Sequence, residues 1–169
     1  MATIWQLIER RAGETPDDVM LIDESDRRVT FGEFRDQAAA LAAGLAGAGI
    51  GSESRVTWQL PSSIDAAITM AALSRLDAVQ CPVLHLYRKK ELGFVLKHTG
   101  AEYCIVPGEW KGFDYTAMAD ELAADLDPSP VVLTLGSLPT GDPSTLPPAA
   151  NPADGDEPVR WIYSTSGTT

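Results

Sequence analysis

The alternation of helical and extended patterns constrains the fold of this chain more than any other feature. Helical spacing of apolar residues predicts five helices, over residues 3–13, 30–47, 62–76, 88–98 and 114–126. Short apolar runs predict strands over residues 19–22, 27–30, 55–60, 78–83, 103–106, 131–135 and 159–163. Strands separated by helices of this length predict crossover connections and a mainly parallel sheet with helices on both faces. The expected fold class is α/β.

Residues at the helix ends support these boundaries. Thr3 with Gln6 and Thr30 with Glu33 each match a capping box, in which two side chains satisfy free amides at a helix start. Gly100 follows the fourth helix and can adopt the left-handed conformation that ends a helix. Ser62 is predicted to open the third helix.

The charge and the cysteines narrow the possible partners. Thirteen basic and 24 acidic residues give a net charge of −11, which argues against binding to nucleic acid or to an anionic membrane surface. The sequence contains no signal-peptide pattern and no apolar run long enough to span a bilayer. Cys81 and Cys104 fall in predicted strands without metal-like spacing, so buried thiols in a reducing, cytoplasmic setting are expected.

Proline marks a change in the last quarter of the chain. Eight of the twelve prolines fall between Pro128 and Pro158. We therefore predict an α/β subdomain over residues 1–136, a Pro-rich surface loop over 137–158 and a terminal strand and loop over 159–169. Acidic clusters at residues 17–18 and 154–157 are interpreted as solvating charge, and no metal ligand is predicted. Trp58 and Trp161 are expected to fill the core of the sheet.

The final residues combine an apolar strand with a polar loop. The run VRWIY leads into STSGTT, which holds five hydroxyl side chains and one glycine. Hydroxyls and exposed amides are neutral donors that can surround a polyphosphate, and glycine lets the backbone approach closely. A Ser/Thr-rich turn is the alternative for this hexapeptide alone. It is not a Walker A loop, because the glycine spacing and the lysine are missing.

Three blocks of the sequence resemble the adenylate-forming (AMP-binding) superfamily, which includes acyl-CoA synthetases, luciferases and peptide-synthetase adenylation domains. YSTSGTT is similar to its phosphate-binding signature, and residues 29–63 and 71–106 are similar to its two early blocks in order and spacing. Several departures matter. Asp77 replaces a usual Gly, which is structurally mild because Asp tolerates a left-handed turn. Ser54 replaces a usual Asp, Ser62 a frequent Asn, and His85–Leu86 a usual Asn-Pro. His85 is interpreted as structural or solvated. The run Leu86–Arg88 favours CoA ligases.

The resemblance implies the N-terminal subdomain of the large domain of such an enzyme, similar to a fatty-acid–CoA ligase. It implies ATP, Mg²⁺ and CoA as cofactors or substrates, together with a small carboxylic acid and the remainder of the same enzyme. The matching phosphate-binding positions are Thr165, Ser166, Gly167, Thr168 and Thr169. No catalytic residue is assigned, and the 169 residues alone are expected to be inactive. An acyl-AMP ligase, a peptide-synthetase-type adenylation domain and a non-catalytic α/β binding module remain alternatives.

Overall fold

The computed structural model describes residues 2–151 and 159–164. Its α-helices are α1 (Ile4–Glu14), α2 (Phe31–Gly47), α3 (Ile64–Arg75), α4 (Lys89–Thr99) and α5 (Tyr115–Ala124). Its strands are β1 (Val19–Ile22), β2 (Arg28–Thr30), β3 (Arg55–Trp58), β4 (Val79–Pro82), β5 (Tyr103–Val106), β6 (Glu109–Trp110), β7 (Phe113–Asp114) and β8 (Val131–Thr134). Short 3-10 turns cover Leu135–Ser137 and Pro143–Thr145. The predicted α/β class is confirmed.

The chain divides into two compact units, each built from separate stretches of sequence. The first unit comprises Met1–Ser52, Ser62–Asp77 and Pro139–Pro158, and the second comprises Glu53–Pro61, Ala78–Leu138 and Val159–Thr169. The boundaries predicted at residues 136/137 and 158/159 stay predictions. In the described ranges no helix is both long enough and apolar enough to cross a membrane.

The first unit is mainly helical. An antiparallel hairpin pairs Leu21 of β1 with Val29 of β2, and α2 packs against both α1 and α3. Both predicted capping boxes are present: the amide of Gln6 donates to Thr3 Oγ1 at 3.1 Å, and the amide of Glu33 donates to the Thr30 hydroxyl oxygen at 3.2 Å. The start of α3 differs by one residue from the prediction, as described next.

The N-cap of α3 is Ser63, not Ser62. Its Oγ accepts the amide hydrogen of Ala66 at 3.1 Å, so the prediction of Ser62 was wrong by one position. Both serines lie three residues before an amide of the first turn, so the sequence alone does not distinguish them. The Ser63 backbone is extended, with φ −153° and ψ 164°, which is the conformation of an N-cap. Gly100 ends α4 in the left-handed conformation, with φ 59° and ψ 44°, as predicted.

A proline-rich segment packs against the helices of the first unit. We call residues 139–147 the proline strap. The amide of Gly141 donates to the carbonyl oxygen of Ala40 in α2 at 2.9 Å, and the Arg75 guanidinium donates to the carbonyl oxygen of Pro147. A Cβ built on Gly44 would lie 1.9 Å from the carbonyl oxygen of Pro139. The strap therefore touches α2 backbone to backbone, where only glycine fits.

The second unit contains the predicted parallel sheet. Its strand order is β4-β3-β5-β8, and every neighbouring pair is parallel. In the register, Thr57 of β3 lies between Cys81 of β4 and Cys104 of β5. Helices α4 and α5 pack on this face and enclose an apolar core; its buried members include Cys81, Val83, Leu92, Val95, Leu96, Cys104, Val106, Met118 and Ala119.

A small hairpin in the second unit has no counterpart in the sequence prediction. Strands β6 and β7 pair antiparallel, with Trp110 opposite Phe113. The connecting residues Lys111 and Gly112 both have positive φ, 49° and 74°. Two-residue strands show no alternation to detect. The Lys-Gly pair between two aromatic residues is the signal that indicates this turn, because both loop positions need positive φ.

Candidate functional site

All four strands of the parallel sheet have their carboxyl ends at one edge, which is where open α/β sheets bind ligands. The segment 160–162 joins the sheet beside β4. The amide of Gln80 donates to the carbonyl oxygen of Arg160 at 2.8 Å, and the amide of Ile162 donates to the carbonyl oxygen of Gln80 at 2.9 Å. Trp161 and Gln80 form a parallel bridge. The strand predicted over 159–163 is therefore reduced to a single bridge.

The chain direction carries the following residues to the carboxyl edge. Because the bridge is parallel, the chain runs past β4 toward the carboxyl end of that strand. Tyr163 and Ser164 come next, and both are exposed. The predicted site residues Thr165, Ser166, Gly167, Thr168 and Thr169 lie outside the described residues, so their role stays a prediction.

Gln80 is buried beside this segment. Its side chain is 1% exposed, and its Oε1 accepts the indole N–H of Trp58 in β3 at 3.2 Å. Trp58 and Trp161 are both half-buried, so the expectation that they fill the core is wrong for both. The Trp161 ring instead stacks on Tyr163, with centroids 5.9 Å apart and planes 8° apart.

A second buried glutamine holds the turn that follows β4. Gln59 is fully buried, and its Nε2 donates to the carbonyl oxygens of Leu84 at 2.9 Å and Tyr87 at 3.1 Å. The amide of Tyr87 also donates to the Leu84 carbonyl oxygen at 3.0 Å. These bonds satisfy carbonyl groups that the end of a strand leaves unpaired, so the turn has a fixed shape at the carboxyl edge.

Arg88 and Tyr115 complete the same turn. The Tyr115 hydroxyl donates to the carbonyl oxygen of His85 at 2.8 Å, and Arg88 Nη1 donates to the same oxygen at 2.9 Å. The Arg88 guanidinium lies over the Phe113 ring, 4.3 Å from its centroid. The His85 ring is half-buried against Trp110 at 4.9 Å, in agreement with the structural interpretation of this histidine. Arg88 acts here as a structural cation–π partner.

The two cysteines are not nucleophiles. Burial, together with the charge of Asp120, raises the pKa of the Cys104 thiol from 9.0 to about 12. Burial likewise raises the pKa of Cys81, which is 2% exposed. Both groups stay protonated at neutral pH, and a thiol is a poor nucleophile in that form. Across residues 2–151 and 159–164, no three His, Cys, Asp or Glu side chains form a group that could bind a metal ion.

Sequence reasoning did not single out Gln59, Gln80 or Tyr115. A glutamine inside an otherwise apolar strand is the available signal, because burying an amide is unfavourable unless it has partners. Both glutamines stand in predicted strands, 55–60 and 78–83. Tyr115 gives no such signal, since its partner at His85 lies 30 residues away along the chain.

Comparisons with a family model and with individual known proteins point to the same family. The model of the family described as AMP-binding enzyme matches residues 8–169. The chain is 32% identical over 149 residues to 2-hydroxy-7-methoxy-5-methyl-1-naphthoate–CoA ligase of Streptomyces carzinostaticus, which covers 88% of this chain and 26% of that protein. It is also 32% identical over 184 residues to salicyl-AMP ligase / salicyl-S-ArCP synthetase of Mycobacterium tuberculosis, covering 99% of this chain and 31% of that protein.

Solved structures show the same fold. The N-terminal subdomain of NpsA from Klebsiella oxytoca, in complex with anthranilyl-AMSN, matches with a TM-score of 0.70 and 25% identity, over 99% of this chain and 38% of that one. A fatty acyl CoA synthetase of Mycobacterium tuberculosis matches in fold with a TM-score of 0.78 at 20% identity, over 97% and 32% of the two chains. The chain thus spans between a quarter and a third of the length of these two relatives, the naphthoate–CoA ligase and the salicyl-AMP ligase. It belongs to the AMP-binding, adenylate-forming enzyme family.

Proposed function

We propose that this chain supplies the N-terminal part of an ATP-dependent ligase that activates a carboxylic acid as an acyl adenylate and transfers it to a thiol. One observation carries the proposal. The segment 160–162 lies beside β4 and runs toward the carboxyl edge of the sheet, and the hydroxyl-rich sequence 164–169 follows it directly. A loop at that edge is well placed to receive a phosphate chain.

In the first step, an oxygen of the substrate carboxylate attacks the α-phosphorus of ATP, and the bond to the departing pyrophosphate breaks. In the second, the thiol sulfur attacks the acyl carbon, and AMP leaves with the bonding electrons. Hydroxyls and backbone amides of Thr165–Thr169 would donate to the phosphate oxygens. Mg²⁺ would accompany the ATP phosphates.

We propose an aromatic carboxylic acid as the substrate class. The support comes from the relatives: one is a ligase for a substituted naphthoate, another for a salicyl group, and the NpsA subdomain binds an anthranilyl compound. This class differs from the fatty acid that the sequence resemblance implied. The likeness to the fatty acyl CoA synthetase shows the fold alone.

CoA is the acceptor we propose, with a carrier-protein thiol as the second candidate. The naphthoate relative is named as a CoA ligase, whereas the mycobacterial relative is named as an AMP ligase and S-ArCP synthetase. Both acceptors present a thiol to the same adenylate, so the first half-reaction is common to the two candidates.

The test uses the complete reading frame that contains this chain. ATP–pyrophosphate exchange is measured with salicylate, anthranilate, 3-hydroxybenzoate, octanoate and a set of amino acids, and thioester formation is then measured with CoA. Exchange with aromatic acids and formation of an aryl-CoA thioester are the expected results. ATP–pyrophosphate exchange without transfer to CoA would favour a carrier-protein thiol as the acceptor. No exchange with any acid would overturn the proposal in favour of a binding module.

A loop variant and a matched control locate the site. Thr168→Val removes one proposed phosphate donor, and we expect at least a tenfold rise in the KM for ATP. Ser144→Ala removes an exposed hydroxyl on the proline strap of the first unit and should leave that KM unchanged. Equal KM values in the two variants would exclude the Thr168 hydroxyl as a phosphate donor.

A further inference from the structure

The segment 160–162 is joined to β4 at Gln80. In the described residues, two backbone hydrogen bonds connect the segment to Gln80, one through its amide and one through its carbonyl oxygen. The Ile162 side chain also packs against the apolar core of the second unit. Neighbouring strands in the same sheet are paired over three or four residues. In the described part of the chain the segment therefore has a much shorter pairing than any of the four strands.

A short pairing is sensitive to register. A shift by one residue would place Arg160 or Ile162 opposite Gln80 and would turn Trp161 to the other face of the sheet. Such a shift moves every following residue by about 3.3 Å along the strand direction. Tyr163 and Ser164, which lead into the sequence of the proposed phosphate-binding loop, would move with it.

The side chain of Gln80 is fixed at the point where the segment pairs with β4. It lies on the face of β4 opposite Cys81, because side chains alternate along a strand. Its Oε1 accepts the indole N–H of Trp58, and the side chain is 1% exposed. In a parallel pair, residues in register point to the same face, so Trp161 lies on the face that carries this amide–indole pair.

We infer that Gln80, held by Trp58, is a positioning residue that sets the register of the segment 160–162 and thereby the position of the ATP phosphate-binding loop. The inference rests on the proposed function for its effect on ATP, but not for its effect on the segment. Gln80 touches no reacting atom. It acts because a buried amide with a fixed partner permits only one orientation of β4 next to Trp161.

Amide hydrogen exchange tests the positioning directly, on the complete protein. The amide of Ile162 donates to Gln80 and should be protected in the parent protein. Gln80→Leu and Trp58→Phe should each speed the exchange of the Ile162 amide at least tenfold. The double variant should exchange at nearly the same rate as the single variants, because the two side chains act as one pair. Unchanged protection of Ile162 in both single variants would overturn the inference.

Kinetics test the consequence for ATP. Gln80→Leu and Trp58→Phe should raise the KM for ATP about tenfold, with a smaller effect on the KM for the acid, since a displacement of about 1 Å already costs much in a positioned site. Thr57→Val is the matched control: it removes a buried polar group from the opposite face of β3 and should leave the KM for ATP unchanged. A change in kcat alone would contradict a positioning role. An equal rise in the KM for ATP in the Thr57→Val control would contradict it as well.

The two readouts separate the two proposals. If the parent protein shows no ATP–pyrophosphate exchange with any acid, the proposed function fails, and the protection of Ile162 still decides the role of Gln80. If exchange occurs and the variants leave both the protection and the KM for ATP unchanged, the inference fails and the proposed function stands. If Gln80→Leu does not fold, Trp58→Phe, which keeps an aromatic ring, gives the same decision.

Discussion

The two units of this chain differ in the kind of interaction that their interiors depend on. In the first unit, helix α2 is rich in small residues, and the proline strap lies directly against its backbone at Gly44. In the second unit, buried polar side chains lie in or directly after strands β3 and β4: Thr57, Gln59 and Gln80. Among the described residues of the first unit, the buried polar residue is Thr69, whose hydroxyl donates within its own helix to the carbonyl oxygen of Asp65 at 2.8 Å.

This difference predicts different sensitivities. The first unit should tolerate changes of polarity better than added atoms, because its closest contacts are steric. The second unit should respond most to changes in hydrogen bonding and charge, because its buried polar groups depend on particular partners. The following substitutions test this contrast, beginning with the largest expected effect.

Gly44→Ala should cause the largest loss of stability. The new Cβ would lie 1.9 Å from the Pro139 carbonyl oxygen and 2.7 Å from Thr140 Cα, both backbone atoms that cannot rotate away. We expect a net fall in the free energy of unfolding of about 2 kcal/mol, after the better helix propensity of alanine offsets about 1 kcal/mol. Urea denaturation measures the change.

Gly93→Ala in α4 is the matched helical control. Its Cβ would lie 3.1 Å from Leu122 Cδ2, the flexible end of a side chain. The propensity gain and the small readjustment should nearly cancel, to within about 0.5 kcal/mol. If Gly44→Ala and Gly93→Ala have equal effects, steric contact with the strap does not distinguish the first unit.

Alkaline pH should destabilise the second unit through Cys104. Its folded pKa, about 12, lies above the ordinary 9.0, so between these values the unfolded chain loses a proton that the folded chain retains. The associated stability is fully present below pH 9 and falls as pH rises toward 12, by about 1 kcal/mol at pH 10. Denaturation at pH 8 and pH 10 should show a smaller difference in Cys104→Ala than in the parent. If the free energy of unfolding changes equally between pH 8 and pH 10 in Cys104→Ala and in the parent, groups other than Cys104 cause the pH dependence.

Tyr115→Phe should lower the free energy of unfolding by about 1 kcal/mol, because the buried hydrogen bond to the His85 carbonyl oxygen is lost. The loss stays moderate because Arg88 continues to donate to the same oxygen. Tyr163→Phe is the control, since Tyr163 is 68% exposed. Its free energy of unfolding should change by less than about 0.3 kcal/mol. The contrast with the first unit would be weakened if both tyrosine variants were neutral in urea denaturation.

Thr57→Val should have the smallest effect, and in the opposite direction. The Thr57 hydroxyl is buried without a conventional hydrogen-bond partner and faces the Cys81 thiol, a weak acceptor. Replacing it with a methyl group of similar shape should leave stability unchanged or raise it by up to about 1 kcal/mol. A loss above that size, measured by thermal unfolding, would show that the Thr57–Cys81 contact is a substantial bond.

Local signals predicted most of the fold correctly. The capping boxes at Thr3 and Thr30 and the terminator Gly100 are encoded within a few residues, and each is present in the structure. The parallel sheet also followed from local patterns, because helices between strands force crossover connections. The family could be assigned from the order of sequence blocks and is confirmed by the match over residues 8–169.

The long-range contacts of both units could not be read from the sequence. The pair Trp58–Gln80 spans 22 residues, and the contact of the proline strap with Gly44 spans about a hundred. Their formation depends on tertiary packing, for which composition gives no register. The strand predicted over 159–163 failed for the same reason: its apolar residues are typical of a full strand, yet only Trp161 pairs.

The burial of both cysteines has a practical consequence for studying this protein. Cys81 and Cys104 are the two cysteines of the chain, and both are shielded and protonated at neutral pH. A thiol introduced at the exposed Ser164 as Ser164→Cys would therefore react with a maleimide dye without competition from the native residues of this chain. A fluorophore there would test in real time whether a nucleotide reaches the proposed phosphate-binding loop, without prior removal of Cys81 or Cys104.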